Sequence, residues 1–266
     1  MTVNNLEKFR SKLEEETLCL GMVIWLTDPT VSEIAADAGL DFTWIDAEHG
    51  ALNIETVQAH VRAARGTDLA PIVRVPWNDP ILIKPILDIA PAGVIIPMVN
   101  TREEAEKAVA ACRYPLEGTR GCGVRRGARY GAEPFGEYLE KSKNDPMIII
   151  QIEHIKAVEN LDEILKVKGI DSICVGPSDL SASMGKLGDF GNKEVEKTID
   201  IICEKAKAAG IIVGSIGGVE NVDKWKKRGA KWLAVSGDVG AVFSVASNAI
   251  SKIRKIEKKQ KSNALY

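Results

Sequence analysis

The chain has 266 residues, of which 27% are charged and 45% are hydrophobic. Its 35 basic and 37 acidic residues nearly cancel, which gives no electrostatic reason to expect nucleic acid or a membrane surface as a partner. No apolar run approaches the roughly 20 residues that span a bilayer, and the polar N-terminus is unlike a secretory signal, so we expect a cytoplasmic protein.

Short apolar runs alternate with longer amphipathic segments along the chain. A charged leader, predicted as a helix over residues 6–17, comes first. Strands are predicted over residues 19–26, 42–46, 70–75, 93–97, 147–151, 172–175, 211–214 and 232–235. Helices are predicted over residues 30–38, 54–65, 79–89, 157–166, 193–209, 219–228 and 241–258, with one more that Thr101 and Glu104 open as a capping box.

Eight strand–helix units in a chain of this length favour a single-domain (β/α)8 barrel. We expect a helical leader over residues 1–17, the barrel over 18–258 and a polar tail over 259–266. An open doubly wound sheet is the alternative, although the GxGxxG turn that typically follows its first strand is absent. In a barrel, catalytic groups lie at the carboxyl ends of the strands.

The stretch from Tyr114 to Tyr130 interrupts this alternation and is rich in glycine and arginine. A connection of this length suggests a function beyond linking two elements. We expect Arg120 and Gly121 to border the pocket and the rest of the loop to lie at the surface.

Two acidic residues follow neighbouring predicted strands, Glu153 after the fifth and Asp179 after the sixth. Mg²⁺ and Mn²⁺ prefer oxygen ligands, and Mg²⁺ is commonly held by one or two carboxylates that leave other positions for substrate and water. The alternative is that the two residues are unrelated, with Asp179 capping the following helix.

Other strand ends add a matching set of polar groups. The second strand ends at Asp46 and is followed by Glu48 and His49, Arg74 lies at the end of the third, and Gln151 ends the fifth. A lone histidine is more often structural, but this one lies between acids and a glycine at the expected mouth.

These residue types suit cleavage of a 2-oxo acid. A divalent metal on Glu153 and Asp179 would polarise the carbonyl, and Arg74 would stabilise the enolate charge. His49 would move the proton. The backbone N–H groups of Ser178 and Asp179, at a helix N-terminus, would receive the substrate carboxylate.

Several motifs together resemble the class II pyruvate aldolase family, which includes 4-hydroxy-2-oxoheptanedioate aldolase and 2-dehydro-3-deoxyglucarate aldolase. The resemblance extends over roughly residues 21–238. The motifs are, in chain order, Ile45-Asp46-Ala47-Glu48-His49-Gly50, Val73-Arg74-Val75, Leu87-Asp88-Ile89, Pro97-Met98-Val99, Tyr114-Pro115 with Gly118-Thr119-Arg120-Gly121, Gln151-Ile152-Glu153 and Gly176-Pro177-Ser178-Asp179-Leu180-Ser181.

The resemblance implies an enzyme that splits a 4-hydroxy-2-oxo acid into pyruvate and an aldehyde in the breakdown of aromatic or sugar acids. It implies Mg²⁺, Mn²⁺ or Co²⁺ held by Glu153 and Asp179. The remaining roles that it implies are a pyruvate-binding arginine (Arg74), a catalytic dyad (His49 and Asp88), pyruvate contacts (Gln151 and Ser178) and groups around the metal's water (Asp46 and Glu48). It also implies a homohexamer whose last barrel helix is exchanged between neighbours.

Asp88 presents a geometric difficulty for that dyad. If residues 79–89 form the helix after the third strand, Asp88 lies roughly 15 Å below the barrel mouth. We therefore predict that Asp88 meets His49 of a neighbouring subunit. The alternative is a helix-terminal residue without catalytic duty.

Two other functions stay open at this stage. One is an acyl-CoA lyase of the malyl- or citryl-CoA type, which would share the barrel and the two acids. The other is a phosphate-binding barrel without aldolase activity, which would use the glycine-rich turn over residues 214–218.

Overall fold

The computed structural model describes residues 3–15, 17–189 and 191–263, and the side chains of 256–263 lie outside that description. The predicted leader over 1–17 and the predicted tail over 259–266 therefore fall partly outside the described residues. The division of the chain into leader, barrel and tail stays a prediction.

Eight parallel strands close into one barrel in sequence order, with β8 paired to β1. The strands are β1 (Cys19–Ile24), β2 (Phe42–Asp46), β3 (Ala70–Arg74), β4 (Gly93–Ile96), β5 (Met147–Ile152), β6 (Ser172–Val175), β7 (Ile212–Ile216) and β8 (Ala230–Gly237). Closure confirms the predicted (β/α)8 barrel and rules out the open sheet.

Helices follow the strands and cover the barrel. They are α1 (Leu6–Glu14), α2 (Thr30–Asp37), α3 (Ile54–Ala63), α4 (Pro80–Asp88), α5 (Arg102–Cys112), α6 (Phe135–Lys141), α7 (Ile155–Glu159), α8 (Leu161–Ile164), α9 (Pro177–Ser183), α10 (Lys193–Ala208), α11 (Val222–Lys227) and α12 (Asp238–Asn263). The helix predicted over 157–166 is instead two short helices, α7 and α8, and α6 was not predicted. In the described part of the chain, no helix has the length and apolar character needed to cross a membrane.

Local capping explains where α5 begins. The Thr101 side chain accepts a hydrogen bond from the Glu104 backbone N–H at 3.3 Å, as the capping-box pattern predicts. The Glu104 carboxylate, however, accepts from the backbone N–H of Asn100 at 2.6 Å, and this completes the cap one residue earlier than the motif requires.

The barrel interior is closed at its N-terminal end. Helix α1 buries Leu6, Phe9 and Leu13 there. The Phe9 ring lies 5.7 Å from Phe42, which in turn lies 5.5 Å from Trp232. Because aromatic and aliphatic side chains fill this end, the carboxyl ends of the strands form the accessible mouth.

The glycine-rich loop after α5 packs at the closed end of its own barrel. Arg120 donates a hydrogen bond to the carbonyl of Leu87 at 3.0 Å, and Arg126 donates to the carbonyl of Ile89 at 3.1 Å. An added Cβ on Gly121 would lie 3.1 Å from the Lys84 side chain. The expectation that Arg120 and Gly121 border the pocket is therefore wrong within a single chain, because α4 descends away from the mouth.

Helix α12 leaves the barrel with an uncovered apolar face. It starts directly after β8, three residues before the predicted start at 241. Its large apolar side chains are exposed, with Phe243 at 71% and Val245 at 73%. Apolar area of this kind marks a surface that associates with another molecule.

Candidate active site

Arg74 and Asp46 form a buried ion pair at the mouth. They are register partners on the neighbouring strands β3 and β2. Arg74 donates to Asp46 through Nε to Oδ1 at 2.9 Å and through Nη2 to Oδ2 at 2.6 Å, a two-point contact that fixes the plane of the guanidinium. The ring of Trp44 lies beneath it, 5.1 Å from the guanidinium carbon. Burial acts to raise the pKa of Asp46, but the hydrogen bonds and charge of Arg74 outweigh it and lower that pKa.

The turn after β2 places Glu48 and His49 beside that pair. Asp46 Oδ1 accepts from the backbone N–H groups of Glu48 at 3.1 Å and His49 at 3.3 Å. Glu48 Oε2 lies 3.0 Å from Arg74 Nη1 and 3.9 Å from His49 Nε2. The His49 side chain is 62% exposed, so its imidazole is open to a ligand entering the mouth. The tight turn requires Gly50, because an added Cβ there would overlap the carbonyl of Asp46.

Glu153 and Gln151 are buried side by side where β5 reaches the mouth. Gln151 Nε2 donates to Glu153 Oε2, and the Met98 backbone N–H donates to Glu153 Oε1 at 2.7 Å. Met98 has a left-handed backbone (φ 55°), which is uncommon for a residue with a side chain. Burial, together with the charges of Glu48 and Asp179, raises the pKa of Glu153 to about 7.

Gly176 allows the two β5 side chains to sit where they do. A Cβ added to it would lie 2.8 Å from Glu153 Cβ and 3.1 Å from Gln151 Nε2. Gly176 precedes α9, whose first turn carries Ser178 and Asp179 at the exposed edge of the mouth. Hence a side chain at the junction of β6 and α9 would displace Glu153 and Gln151 from these positions.

The carboxylates of the mouth suit a divalent cation. Asp179 acts on the pKa of both Glu48 and Glu153 in the direction expected of a nearby like charge. Gln151 Oε1 is buried without a hydrogen-bond donor among the described residues. A cation with oxygen ligands would neutralise the clustered charge. Among the described residues, no three acidic, histidine or cysteine side chains are grouped so that they could hold a metal ion by themselves.

The structure does not bring Asp88 to His49 within one chain. Asp88 ends α4 at the closed end of the barrel, where Arg120 Nη2 lies 3.9 Å away and an added Cβ on Gly123 would lie 2.6 Å from Asp88 Oδ2. Burial raises its pKa, and its Oδ1 has no hydrogen-bond donor in the described part of the chain. The predicted contact with a neighbouring subunit stays a prediction.

The other two histidines have structural positions. His60 is fully buried, with Nδ1 2.9 Å from Ser32 Oγ and Nε2 3.0 Å from the carbonyl of Leu26. Burial lowers its pKa. His154 caps α7 by accepting from the backbone N–H of Lys156 at 3.1 Å.

The turn after β7 is poorly suited to phosphate. The Glu220 carboxylate folds over Gly218, where an added Cβ would overlap it. Since a carboxylate at this position repels an anion, the structure disfavours the phosphate-binding alternative.

Three residues that shape the site, Trp25, Met98 and Asp238, have no role assigned to them from the sequence. Trp25 Nε1 donates to Asp46 Oδ2 at 2.7 Å, and Asp238 accepts from the backbone N–H groups that follow β1. The only available signal was position along the chain, because Trp25 lies near the end of the predicted first strand and Asp238 follows the predicted eighth strand. Nothing in the sequence signals that the backbone of Met98 would bind Glu153.

Comparison with known proteins gives consistent results. Residues 20–244 match the family model described as HpcH/HpaI aldolase/citrate lyase. The chain is 38% identical over 250 residues to the 5-keto-4-deoxy-D-glucarate aldolase of Citrobacter koseri, covering 93% of this chain and 96% of that protein. Among solved structures, an HpcH/HpaI aldolase/citrate lyase family protein from Burkholderia cenocepacia superposes with a TM-score of 0.87 at 29% identity, covering 93% and 99% of the two chains. A citrate synthase superposes with a TM-score of 0.84 at 27% identity, covering 97% and 100%.

Proposed function

We propose residue roles, a substrate and an assembly for this chain on the premise that it belongs to the HpcH/HpaI aldolase/citrate lyase family. The chain is an aldolase, a carbon–carbon lyase that depends on a divalent metal and reversibly cleaves a hydroxy-2-oxo acid to pyruvate and an aldehyde. The observation that carries the roles is the Asp46–Arg74 pair facing a cluster of carboxylates at the mouth.

The proposed substrate is 5-keto-4-deoxy-D-glucarate, because the similar curated aldolases carry that name. This compound is a 2-oxo acid with a hydroxyl two carbons from the carbonyl and a second carboxylate at its far end. Cleavage between the methylene and that hydroxyl carbon yields pyruvate and tartronate semialdehyde. The reaction therefore belongs to sugar acid catabolism, and the cytoplasm is the proposed location.

Glu153 and Asp179 would hold the divalent ion, with Mg²⁺, Mn²⁺ and Co²⁺ as the candidates. When bound, the ion supplies a Lewis acid for the 2-oxo carbonyl and neutralises the two carboxylates. Met98 and Gln151 hold the Glu153 carboxylate in one orientation through their hydrogen bonds to its two oxygens. These hydrogen bonds orient the Glu153 carboxylate before the ion binds.

Arg74 binds the 2-oxo oxygen of the substrate and stabilises the negative charge that develops on it. Its guanidinium is permanently protonated and is held in one plane by Asp46, so no reorganisation is needed as the charge forms. Gln151 and Ser178 contact the pyruvate moiety. The backbone N–H groups of Ser178 and Asp179 receive the substrate carboxylate, because the first turn of a helix leaves such groups without intrahelical acceptors.

His49 moves the proton. During cleavage its imidazole accepts the proton of the 4-hydroxyl group, the C3–C4 bond breaks, and the aldehyde leaves. The same proton then passes to C3 of the enolate and completes pyruvate. Its exposure at the mouth and its proximity to Glu48 support this role, because the imidazole can reach the substrate while a carboxylate orients it.

The proposed assembly is a homohexamer in which α12 packs on a neighbouring subunit. Its uncovered Phe243 and Val245 support this exchange. In the assembly Asp88 meets His49 of a neighbour and completes the dyad. The buried Asp88 oxygen without a donor supports an additional partner at that position.

Pyruvate release from 5-keto-4-deoxy-D-glucarate tests the proposal. The wild type should lose activity after chelation and regain it with Mg²⁺ or Mn²⁺, and Glu153→Gln should stay inactive at the same metal concentration. Glu159→Gln is the matched control, since it removes the same charge from the exposed end of α7. Activity that survives chelation, with a borohydride-trapped lysine adduct, would overturn the metal site. Metal-dependent cleavage of other hydroxy-2-oxo acids alone would overturn the substrate assignment.

A further inference from the structure

Asp46 is held from both neighbouring strands. Arg74 on β3 donates to both of its oxygens, and from the β1 side the indole N–H of Trp25 donates to Oδ2 at 2.7 Å. Asp46 is fully buried, and β2 lies between β1 and β3 in the barrel. Oδ2 therefore accepts from Trp25 and Arg74 at once, which defines the rotation of the carboxylate about its Cβ–Cγ bond.

Trp25 is itself fixed by the junction between β8 and α12. Asp238, the first residue of α12, is buried and accepts from the backbone N–H of Trp25 at 3.0 Å and of Leu26 at 2.9 Å. Gly237 lies against the indole, and an added Cβ on it would overlap the ring. The carbonyl of Leu26 bonds His60 at 3.0 Å. The indole is thus held in one orientation by residues that take no part in the proposed reaction.

Arg74 has two carboxylates available. The Asp46 carboxylate accepts hydrogen bonds from Nε and Nη2 of Arg74, while Glu48 Oε2 lies 3.0 Å from Nη1 of Arg74. A guanidinium between two acids can turn toward either of them. The indole N–H favours the observed arrangement, because it adds a charge-assisted hydrogen bond to Asp46 in only that rotation of the carboxylate.

Resting on the proposed function, we propose that Trp25 is a positioning residue whose indole N–H fixes the Asp46 carboxylate and thereby orients Arg74 toward the 2-oxo oxygen. Trp25 acts through Asp46 and takes no part in proton transfer. Loss of the indole N–H should therefore slow the formation of the enolate, a step that pyruvate undergoes in the absence of the aldehyde.

Exchange of the pyruvate methyl protons in D2O with added Mn²⁺, followed by NMR without aldehyde, isolates that step. Trp25→Phe keeps most of the ring and removes the N–H. We expect the exchange rate at saturating pyruvate to fall by about tenfold or more, because a hydrogen bond to a charged group is lost, with KM for pyruvate nearly unchanged. Normal exchange by Trp25→Phe, with only aldol cleavage impaired, would overturn the proposal and indicate contact with the aldehyde.

Gly237→Ala is a second route to the same effect, since it displaces the indole while keeping every donor. Its control is Gly240→Ala, where an added Cβ meets nothing within 4 Å. Trp232→Phe controls for barrel packing, because it deletes another buried indole hydrogen bond, to Ser172 at 3.0 Å. Equal losses of exchange in Trp25→Phe and Trp232→Phe would overturn the specific role. Absence of metal-dependent exchange in the wild type would refute the proposed function itself.

Discussion

Replacement of Gly176 by alanine tests the geometry of the metal site with one methyl group. The backbone of Gly176 has φ −102°, which alanine adopts without strain, so the effect comes from the added atom alone. That atom would lie 2.8 Å from Glu153 Cβ, 3.0 Å from Glu153 Oε2 and 3.1 Å from Gln151 Nε2. Carbon atoms pack at about 3.5–4.0 Å, so Glu153 must move by roughly 0.7 Å or more.

This movement should weaken metal binding more than it weakens the fold. Overpacking costs about 1–3 kcal/mol, and the displaced carboxylate also strains its 2.7 Å hydrogen bond from Met98. Lost support of a ligand typically lowers metal affinity by about 10–100-fold. Titration of Mn²⁺ into chelator-treated protein by calorimetry should therefore give a dissociation constant for Mn²⁺ that is raised by that factor. The turnover rate of Gly176→Ala should also fall when the metal concentration is limiting.

Gly136→Ala provides the matched control, because nothing lies within 4 Å of a Cβ at that position and its φ is not positive. It should bind Mn²⁺ as the wild type does. If Gly176→Ala also binds Mn²⁺ with unchanged affinity while its melting temperature falls, then Glu153 does not hold the metal and the assignment of the site is wrong.

Three further predictions concern ionisation, charge geometry and assembly. Because the pKa of Glu153 is raised to about 7, it adds stability to the metal-free protein below its ordinary pKa and that stability is lost as pH rises through 7. Melts of chelated protein should show the wild type losing stability between about pH 4.5 and pH 7, and Glu153→Gln losing less; equal losses would contradict the assignment. Arg74→Lys keeps the charge but not the two-point contact with Asp46, so kcat should fall by about 100-fold, and activity within a few-fold of wild type would refute the orienting role of that contact. Co-expression of inactive His49→Ala and Asp88→Ala chains should restore up to about a quarter of wild-type activity if the dyad crosses a subunit interface, whereas a mixture without activity would refute the cross-subunit dyad.

Much of the fold could be predicted because it depends on local periodicity. Buried strands such as Met147–Ile152 read as apolar runs, and helix starts such as Thr101 carry side chains that cap backbone N–H groups. The errors lie where tertiary contacts interrupt a local pattern. The segment predicted as one helix over 157–166 divides at Asn160, whose side chain donates to the carbonyl of Asn100 at 3.0 Å.

The sequence by itself determined that polar residues such as Asp46, Arg74 and Glu153 lie at or just after the ends of strands, and in a parallel barrel the strand ends share one face. Only the tertiary structure decided which of them touch. The register of β2 on β3 makes Asp46 the partner of Arg74, and barrel closure brings the end of β8 beside Trp25. Strand propensity acts over a few residues, whereas register and closure join residues more than 200 positions apart. The spacing of residues along one chain therefore leaves those contacts undefined.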